Sequence, residues 1–494
     1  MSLLPEKLYT AEQTRALDSV AIEGRGIAGY TLMQRAGAAA FQVLRACWPH
    51  VQRISILCGP GNNGGDGFVI GNLALQAHLE VDLYLAGDTK KLKGDAATAA
   101  KDFQSRGGKI WPAKKFKGDD CEVIVDALLG TGLERRVEGE LARLIETANS
   151  NLAGRLAVDI PSGLSADTGA VLGTAMRADH TVTYIGVKRG LLTGSGPDCT
   201  GNLVFDDLGV PDDIYDDMPF SARRVTQAWA ASRLPPRARC THKGDFGHVL
   251  CLGGDVGMGG AVRLCAEAAV RSGAGLVSVG TRPEHVAAVI AGCPMVMVRA
   301  AEDDAVVDAL LARASVVAVG PGLGQSEWAT LLLDKAIASE LPLVVDADAL
   351  NLLAHEPRQH TDWILTPHPG EAARLLDTDV ATVQLDRFAA ARQVADKYGG
   401  VCVLKGCGTV IAGSDSSLWL CDKGNPGMAT GGMGDVLTGA IAGLRAQGLS
   451  LIEAAVAGVW LHSEAADRAS VDGERGLAAT DVLAQLRTVA NPDA

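Results

Sequence analysis

The apolar residues of this chain fall into short unbroken runs, each closed by glycine, proline or aspartate. RISILC (53–58) leads into GPGNNGGDG (59–67) and then FVIGNLALQAHL (68–79), which predicts strand, glycine-rich turn and helix in that order. EVIVDALLGTG (122–132) and GRLAVDIPSGL (154–164) predict two more strands, each running into an aspartate and a turn. β-Branched runs without polar alternation belong to strands buried on both faces, hence to a mainly parallel sheet covered by helices. In such sheets, sites form at the carboxyl ends of the strands. A second series follows, with SVVAVGPGLG (315–324), PLVVDADAL (342–350), WILTPHPGE (363–371) and VCVLKGCGTVI (401–411) separated by Ala- and Leu-rich helical stretches. It ends in helices. No fixed period repeats, so the expected architecture is two unrelated α/β units in tandem. The first runs to about Asp217. From Pro219 to Arg239 the chain is polar, basic and proline-containing, and VLCLGG (249–254) then starts a new strand. That stretch reads as a linker between domains 1–218 and 219–494.

Composition narrows the function classes. A chain of 494 residues exceeds one ordinary core, and 47 % hydrophobic against 21 % charged residues is enough to build two. The 59 glycines fit many tight strand-to-helix turns, the places where phosphates bind. A net charge of −13 argues against a nucleic-acid partner, so an anionic ligand must be held locally. The eleven cysteines form no C-x-x-C pair, which points away from a zinc site or disulfide framework and toward reduced thiols. The opening MSLLPEKLYTAEQ meets charge too early for a signal peptide, and no apolar run reaches the ~18 residues of a membrane span. The expectation is a cytoplasmic protein with no membrane partner.

The densest chemistry lies in GNPGMATGGMGDVLTGAIAGLRAQG (424–448), a glycine cluster before an apolar-periodic helix expected to start near Val436. Amides at Gly431, Gly432 and Gly434 suit a phosphoryl group at a helix N-terminus. Asp435 is then the odd residue, because a carboxylate beside a phosphate is unfavourable unless it takes a proton there. Its alternative role is a helix cap. In the first half, Asn62, Asn63, Gly64, Gly65 and Asp66 follow a strand and open a helix, so the segment is either a pyrophosphate cradle or only a tight turn. Asn63, Asp126 and Ser162 offer oxygens from three strand ends, which suits a hard cation.

G-G-x-G-D before a long helix resembles the signature of ribokinase-like kinases. HKGDFGHVLCLGGDVGMGGA (242–261), VGPGLG (319–324), VVDADALNLL (344–353), TPHPGE (366–371) and KGCGT (405–409) resemble, in the same order, the nucleotide-dependent dehydratases of hydrated NADH and NADPH. GPGNNGGDG (59–67), DALLGTGL (126–133) and VDIPSGLSADTG (158–169) resemble the NAD(P)HX epimerase domain. Together the halves are similar to the family of fused bacterial NAD(P)H-hydrate repair enzymes.

The resemblance implies a Rossmann-like three-layer α/β domain followed by a ribokinase-like α/β domain. It implies that Lys405, Gly406, Cys407, Gly408, Thr409 and Gly434 bind the adenine nucleotide, and that Ala261, Gly322, His368 and Asp435 meet the hydrated dinucleotide. In the first domain it makes the cation K+ and Asp159 the acid/base residue. Asn62 to Asp66 and the stretch Gly130, Thr131, Gly132, Leu133, Glu134, Arg135 and Arg136 then shape the cofactor pocket. The implied reactants are NADHX, NADPHX and ADP, with Mg2+ at the dehydratase site and a homo-oligomeric assembly. Asp346 and Asp348 read as strand-end caps, with magnesium binding as the alternative. His368 divides between ligand contact and scaffold, and Lys188 reads first as a solvated surface residue. The rival reading is a small-alcohol or vitamin-precursor kinase behind a non-catalytic N-terminal binding domain.

Overall fold

The computed structural model describes residues 4–119 and 121–491, and the chain divides between Arg223 and Arg224 into two units. The first contains β1 (Lys7–Tyr9), β2 (Arg53–Cys58), β3 (Glu80–Leu85), β4 (Ile110–Pro112), β5 (Val123–Ala127), β6 (Gly154–Val158), β7 (His180–Tyr184), β8 (Val187–Lys188) and β9 (Asn202–Asp206), with β10 (Ala222–Arg224) at its end. Seven of these form a parallel sheet in the order β4-β3-β2-β5-β6-β7-β9. Ile54, Ile56, Val123 and Val125 pack on helices Gly29–Cys47, Asn62–Gln76 and Gly94–Ser105, while Leu57 and Ile124 pack on helix Gly139–Asn149. Both faces are covered, which is why these strands carry apolar residues at consecutive positions. The sheet direction switches between β2 and β5, so their carboxyl ends border an open crevice. Apart from this sheet, β1 pairs in parallel with β8, setting Leu8 beside Val187, and antiparallel with Ala222 and Arg223.

The expected turn at 59–67 is shorter than its glycines suggest, because the helix already begins at Asn62. None of Gly64, Gly65, Gly67 and Gly71 has a positive φ. A Cβ on Gly64 would stand 1.9 Å from the Gly59 carbonyl oxygen, and one on Gly67 would stand 2.6 Å from Cys58 Sγ. These glycines remove side chains so that the helix can lie against the end of β2, and only Gly59–Gly61 form the turn proper.

In the second unit, β11 (His248–Leu252), β12 (Leu276–Thr281), β13 (Met297–Ala300), β14 (Val316–Val319), β15 (Leu343–Val345), β16 (Trp363–Leu365) and β17 (Val401–Leu404) run parallel in the order β13-β12-β11-β14-β15-β16-β17. An antiparallel hairpin, β18 (Thr409–Gly413) and β19 (Leu418–Cys421), continues from β17. Val249 and Cys251 pack under helices Gly259–Arg271, Met433–Ala446 and Leu451–Ala469, while Leu250 and Leu252 are buried on the opposite face. Among the described residues no helix is long and apolar enough to cross a membrane.

The first part of the stretch expected to be a linker is structured, whereas residues 235–239 are exposed and form no helix or strand. Phe220 packs against the first unit's core, the Ser221 amide donates to Leu8 at 2.8 Å, and Ala222 is buried. In the second unit the Val225 amide donates to Leu420 at 2.8 Å, and Thr226 caps the helix Gln227–Ser232. The boundary is therefore a single peptide bond rather than twenty residues. Its apolar positions, Phe220, Ala222 and Val225, are separated by arginine and serine, which hid a strand as short as this from a pattern reading. A fragment ending at Arg223 is expected to be more stable to urea than one ending at Asp217 by roughly 2 kcal/mol, from the lost Phe220 packing and backbone pairing. Equal midpoints in urea denaturation would return the segment to linker status.

Candidate active sites

In the first unit the ends of β2, β5, β6 and β7 and the helix Ala11–Ser19 enclose a cavity of about 940 Å³. Asp159 directly follows β6 and has φ +67°, a left-handed conformation that costs a non-glycine residue energy. Its amide donates to Val182 at 2.7 Å, which holds the turn in place. The carboxylate Oδ1 accepts from the Tyr184 amide at 3.3 Å, the Thr183 hydroxyl at 3.4 Å and, in an ion pair, Lys188 Nζ. Lys188 is 2 % exposed and also donates to Thr183 Oγ1 at 3.1 Å and the Tyr184 carbonyl at 3.2 Å. The expectation of a solvated surface lysine is thus corrected. Pairing of the two-residue strand β8 with β1 places Lys188 inside, where Asp159 compensates its charge.

Of the further acids that line this cavity, two have raised proton affinity. Burial, opposed by Lys188 and reinforced by Asp159, pushes Asp18 up to about 6. Burial, with Asp159 and Asp18 adding, pushes Asp66 well above the usual carboxylate range. Asp18 had no signal in the sequence, because in TAEQTRALDS it occupies an ordinary polar helix position. Asn62, Asn63 and Asp66 border the cavity, as do residues 130–135. Gly64 and Gly65 face the protein interior, and Arg136 is exposed beside Glu138 at 3.8 Å.

Behind the cavity, Asp126 is fully buried and accepts from the Ser162 amide at 2.7 Å, the Ser162 hydroxyl at 2.6 Å and the Leu128 amide at 3.2 Å. Burial raises its carboxyl to about 6 against the pull of those hydrogen bonds. Asn63 Nδ2 donates to the Leu129 carbonyl at 3.0 Å, and the Leu129 amide donates to Ser162 Oγ at 2.8 Å. The fold therefore gathers Asn63, Asp126 and Ser162 around one loop. Asn63 Oδ1 is buried and receives no hydrogen bond among the described residues, an oxygen that can face a cation.

In the second unit the motifs at 253–255, 320–324, 346–348, 366–371 and 405–409 all follow the carboxyl ends of parallel strands. Helix Met433–Ala446 begins above them. Gly439 lets it close on the helix Gly259–Arg271, since a Cβ there would stand 2.0 Å from the Cys265 carbonyl oxygen. The helix starts three residues before the expected Val436, with Gly432 as N-cap at φ +89° and no side-chain cap. Asp435 lies in the first turn and caps nothing. The amides of Met433, Gly434 and Asp435 have no partner within the helix, as at any uncapped N-terminus.

Asp346 is 1 % exposed and its carboxylate is the hub of this site. Oδ1 accepts from Lys405 Nζ at 2.7 Å and Thr366 Oγ1 at 2.8 Å, and Oδ2 accepts from Thr438 Oγ1 at 2.9 Å. It caps no helix with its side chain, which corrects the capping assignment. Asp348 instead accepts from the Gly324 amide at 2.9 Å and ties down the 320–324 turn. Burial would raise Asp346, but Lys405 first and then the two hydroxyls hold it below its ordinary range. Burial would lower Lys405, but Asp346 and Glu371 hold it above its own. Burial, with Asp346 adding and Lys405 opposing, pushes Asp435 up to about 7. A Cβ on Gly434 would lie 3.4 Å from both Lys405 Nζ and Asp346 Oδ2, so this glycine keeps the ground between helix and ion pair open.

The remaining residues fall around this hub. Gly322, at φ +57°, lies against Ala261, whose Cβ is 3.0 Å from where a Gly322 Cβ would stand. His368 caps the helix Pro369–Leu376, with Nδ1 accepting from the Gly370 and Glu371 amides at 2.9 and 3.3 Å. That fixes the hydrogen on Nε2 of a half-exposed ring. The 405–409 loop has Gly406 and Gly408 at φ +136° and +64°, and the buried Arg387 donates to the carbonyls of Leu404 and Lys405 from behind, both at 3.2 Å. Thr366, Thr438, Glu371 and Arg387 were missed in the sequence because each acts through a partner distant along the chain.

Comparison with known proteins matches residues 29–190 to a family described as YjeF-related protein N-terminus and residues 249–488 to one described as NAD(P)H-hydrate dehydratase. The bifunctional NAD(P)H-hydrate repair enzyme of Coxiella burnetii is 51 % identical over 491 residues, 98 % of this chain and 99 % of that one. That of Escherichia coli is 44 % identical over 99 % of this chain and 95 % of its own length. A ribokinase-like superfamily protein from Enterococcus faecalis superposes with a TM-score of 0.52 at 29 % identity, covering 56 % of this chain and 99 % of its own.

The hub makes a stability test possible. Asp346→Asn leaves the buried Lys405 with only Glu371, at 3.7 Å, as counter-charge and is expected to cost ~2–4 kcal/mol, whereas Thr366→Val should cost only ~1–2 kcal/mol. Urea denaturation of both variants decides it; equal losses would mean that the ion pair is not the centre of the site.

Proposed function

The chain belongs to the family of bifunctional NAD(P)H-hydrate repair enzymes, and on that premise we propose that its second unit dehydrates hydrated NADH and NADPH while its first interconverts their epimers. Hydrated NAD(P)H carries a hydroxyl at C6 of the nicotinamide ring, and hydroxide is a poor leaving group. Transfer of a phosphoryl group from ADP to that hydroxyl turns it into phosphate, which departs as the ring nitrogen's lone pair restores the double bond. AMP and phosphate are the other products.

The observation that carries the dehydratase half is Asp435 in the first turn of an uncapped helix beside the Asp346–Lys405 pair. The adenine nucleotide lies against Lys405, Gly406, Cys407, Gly408, Thr409 and Gly434, with the transferred group at the open amides of that helix. The hydrated dinucleotide meets Ala261, Gly322 and His368, whose Nδ1 caps its helix while Nε2 lies 3.4 Å from Glu371 Oε1. Asp435 accepts the hydroxyl proton. A carboxyl pushed up to about 7 matches a general base working near neutrality. Asp346 does not suit magnesium, because the Lys405 ammonium at 2.7 Å already supplies its counter-charge and a second cation there would be repelled. Mg2+ accompanies the nucleotide.

In the first unit the reading rests on the Asp159–Lys188 pair at the cavity floor, with Asp159 as the proton-transfer group at C6. Asn63, Asp126 and Ser162 suit K+, since Asn63 Oδ1 is a buried oxygen without a donor and all three supply oxygen. When bound, the ion supplies a fixed positive charge behind the loop 128–133. Gly130 to Arg135 shape the cavity, while Arg136 enters the reading only as an outer contact.

Asp435→Asn is expected to slow dehydration ~10²–10⁴-fold with nucleotide affinity little changed. Wild-type kcat/KM for dehydration should rise with pH as Asp435 loses its proton near 7 and then level off. A near-normal Asp435→Asn turnover would restore a purely structural Asp435. Asp159→Ala should consume an equal mixture of epimers in two phases, a fast one for the epimer that the second unit accepts and a slow one at the spontaneous rate. A single fast phase, followed by the return of dihydronicotinamide absorbance, would remove Asp159 from the mechanism.

A further inference from the structure

Among the carboxyls that line the first unit's cavity, Asp18 stands out by its place opposite the Asp159–Lys188 pair. Asp18, on the helix Ala11–Ser19, is half-buried on the cavity wall, and among the described residues no group hydrogen-bonds its side chain. It faces Lys188 and Asp159 at the ends of β8 and β6, Asp66 on the helix Asn62–Gln76, and Tyr215, with Arg15 one turn back on its own helix. Asp159 differs in kind. Lys188 pairs with it, and all three of its donors sit on Oδ1. The cavity thus presents a paired carboxylate from one element and an unpaired carboxyl from another.

Inversion at C6 needs two proton transfers. The departing hydroxyl must gain a proton, and the arriving water must lose one on the opposite face of the ring. A single positioned carboxyl serves one face. We propose that Asp18 is the second catalytic residue of the epimerase, acting across the nicotinamide ring from Asp159. This rests on the epimerase reading of the cavity. The Asp18 carboxyl gives its proton to the C6 hydroxyl, the C6–O bond breaks to release water, and the N1 lone pair forms the N1=C6 bond of an iminium. Water attacks C6 from the other face, forming the new C6–O bond and returning the π pair to N1, while Asp159 takes its proton. The reverse inversion exchanges the two roles, so atoms and electrons balance without an oxidant or reductant. A carboxyl at about 6, beside Lys188, keeps part of its protonated form near neutrality and can act as either acid or base.

The test uses the full chain with Asp18→Asn, Asp18→Glu and Asp159→Ala, following inversion of the epimer that the second unit does not consume. Asp18→Asn is expected to slow inversion by ~10²-fold or more in kcat with KM little changed, and Asp18→Glu to restore part of the loss. Wild-type kcat/KM for inversion should change as pH passes through about 6, falling where Asp18 is the acid and rising where it is the base, and Asp18→Asn should lack that limb. If Asp18→Asn inverts at the wild-type rate while Asp159→Ala does not, the proposal is overturned and the epimerase reading stands. If Asp18→Asn is slowed but keeps the wild-type pH limb, Asp18 is structural and the proposal is again overturned. If wild type itself does not invert the epimer, both fall together.

Discussion

A charged side chain at the buried end of a parallel strand is costly, and in this chain each site meets that cost with one lysine–carboxylate pair. In the first unit Asp159 follows β6 and Lys188 ends β8; in the second Asp346 follows β15 and Lys405 follows β17. Each pair joins two strand ends that are far apart in sequence. Hydroxyls complete the arrangement, Thr183 in one case and Thr366 with Thr438 in the other. The rest of each site is arranged around a charge that is already neutralised.

That neutralisation has a consequence for the acids nearby. Once the lysine is engaged, its pull on further carboxyls close to the pair is outweighed by their burial and by the neighbouring carboxylates. Asp435 next to Asp346, and Asp18 and Asp66 next to Asp159, are accordingly pushed above the usual carboxylate range. The fold thereby places carboxyls of raised proton affinity beside buried ion pairs, and the two kinds of carboxyl are told apart by partners rather than by position. Asp346 has three side-chain donors, whereas Asp18 has none among the described residues.

Glycine has a second part in positioning these groups. Gly64 and Gly67 let the helix after β2 lie on the strand end, which carries Asn63 and Asp66 to the cavity. Gly439 does the same for the helix that carries Asp435. Gly434 has a different use, since its missing side chain leaves space between the helix start and the ion pair. In each case the glycine is needed for what it does not occupy rather than for a special φ.

Much of the fold was legible in the sequence, because unbroken β-branched runs between Gly- and Asp-ended turns leave little choice but parallel strands with sites at their carboxyl ends. RISILC, EVIVDA and WIL are strands, and Asp159, Asp435 and Lys405 stand at the edges where the pattern put them. Local pattern could not say which of those residues is buried or what it touches. Lys188 read as surface and Asp346 as a cap until the order of strands brought Asp159 and Lys405 beside them. Asp18 had no local mark at all, and the strand at Ala222–Arg224 was too short to show one. Periodicity reports each residue's relation to its own element, whereas burial, ion pairing and proton affinity depend on neighbours contributed by other elements, and only the tertiary structure supplies those.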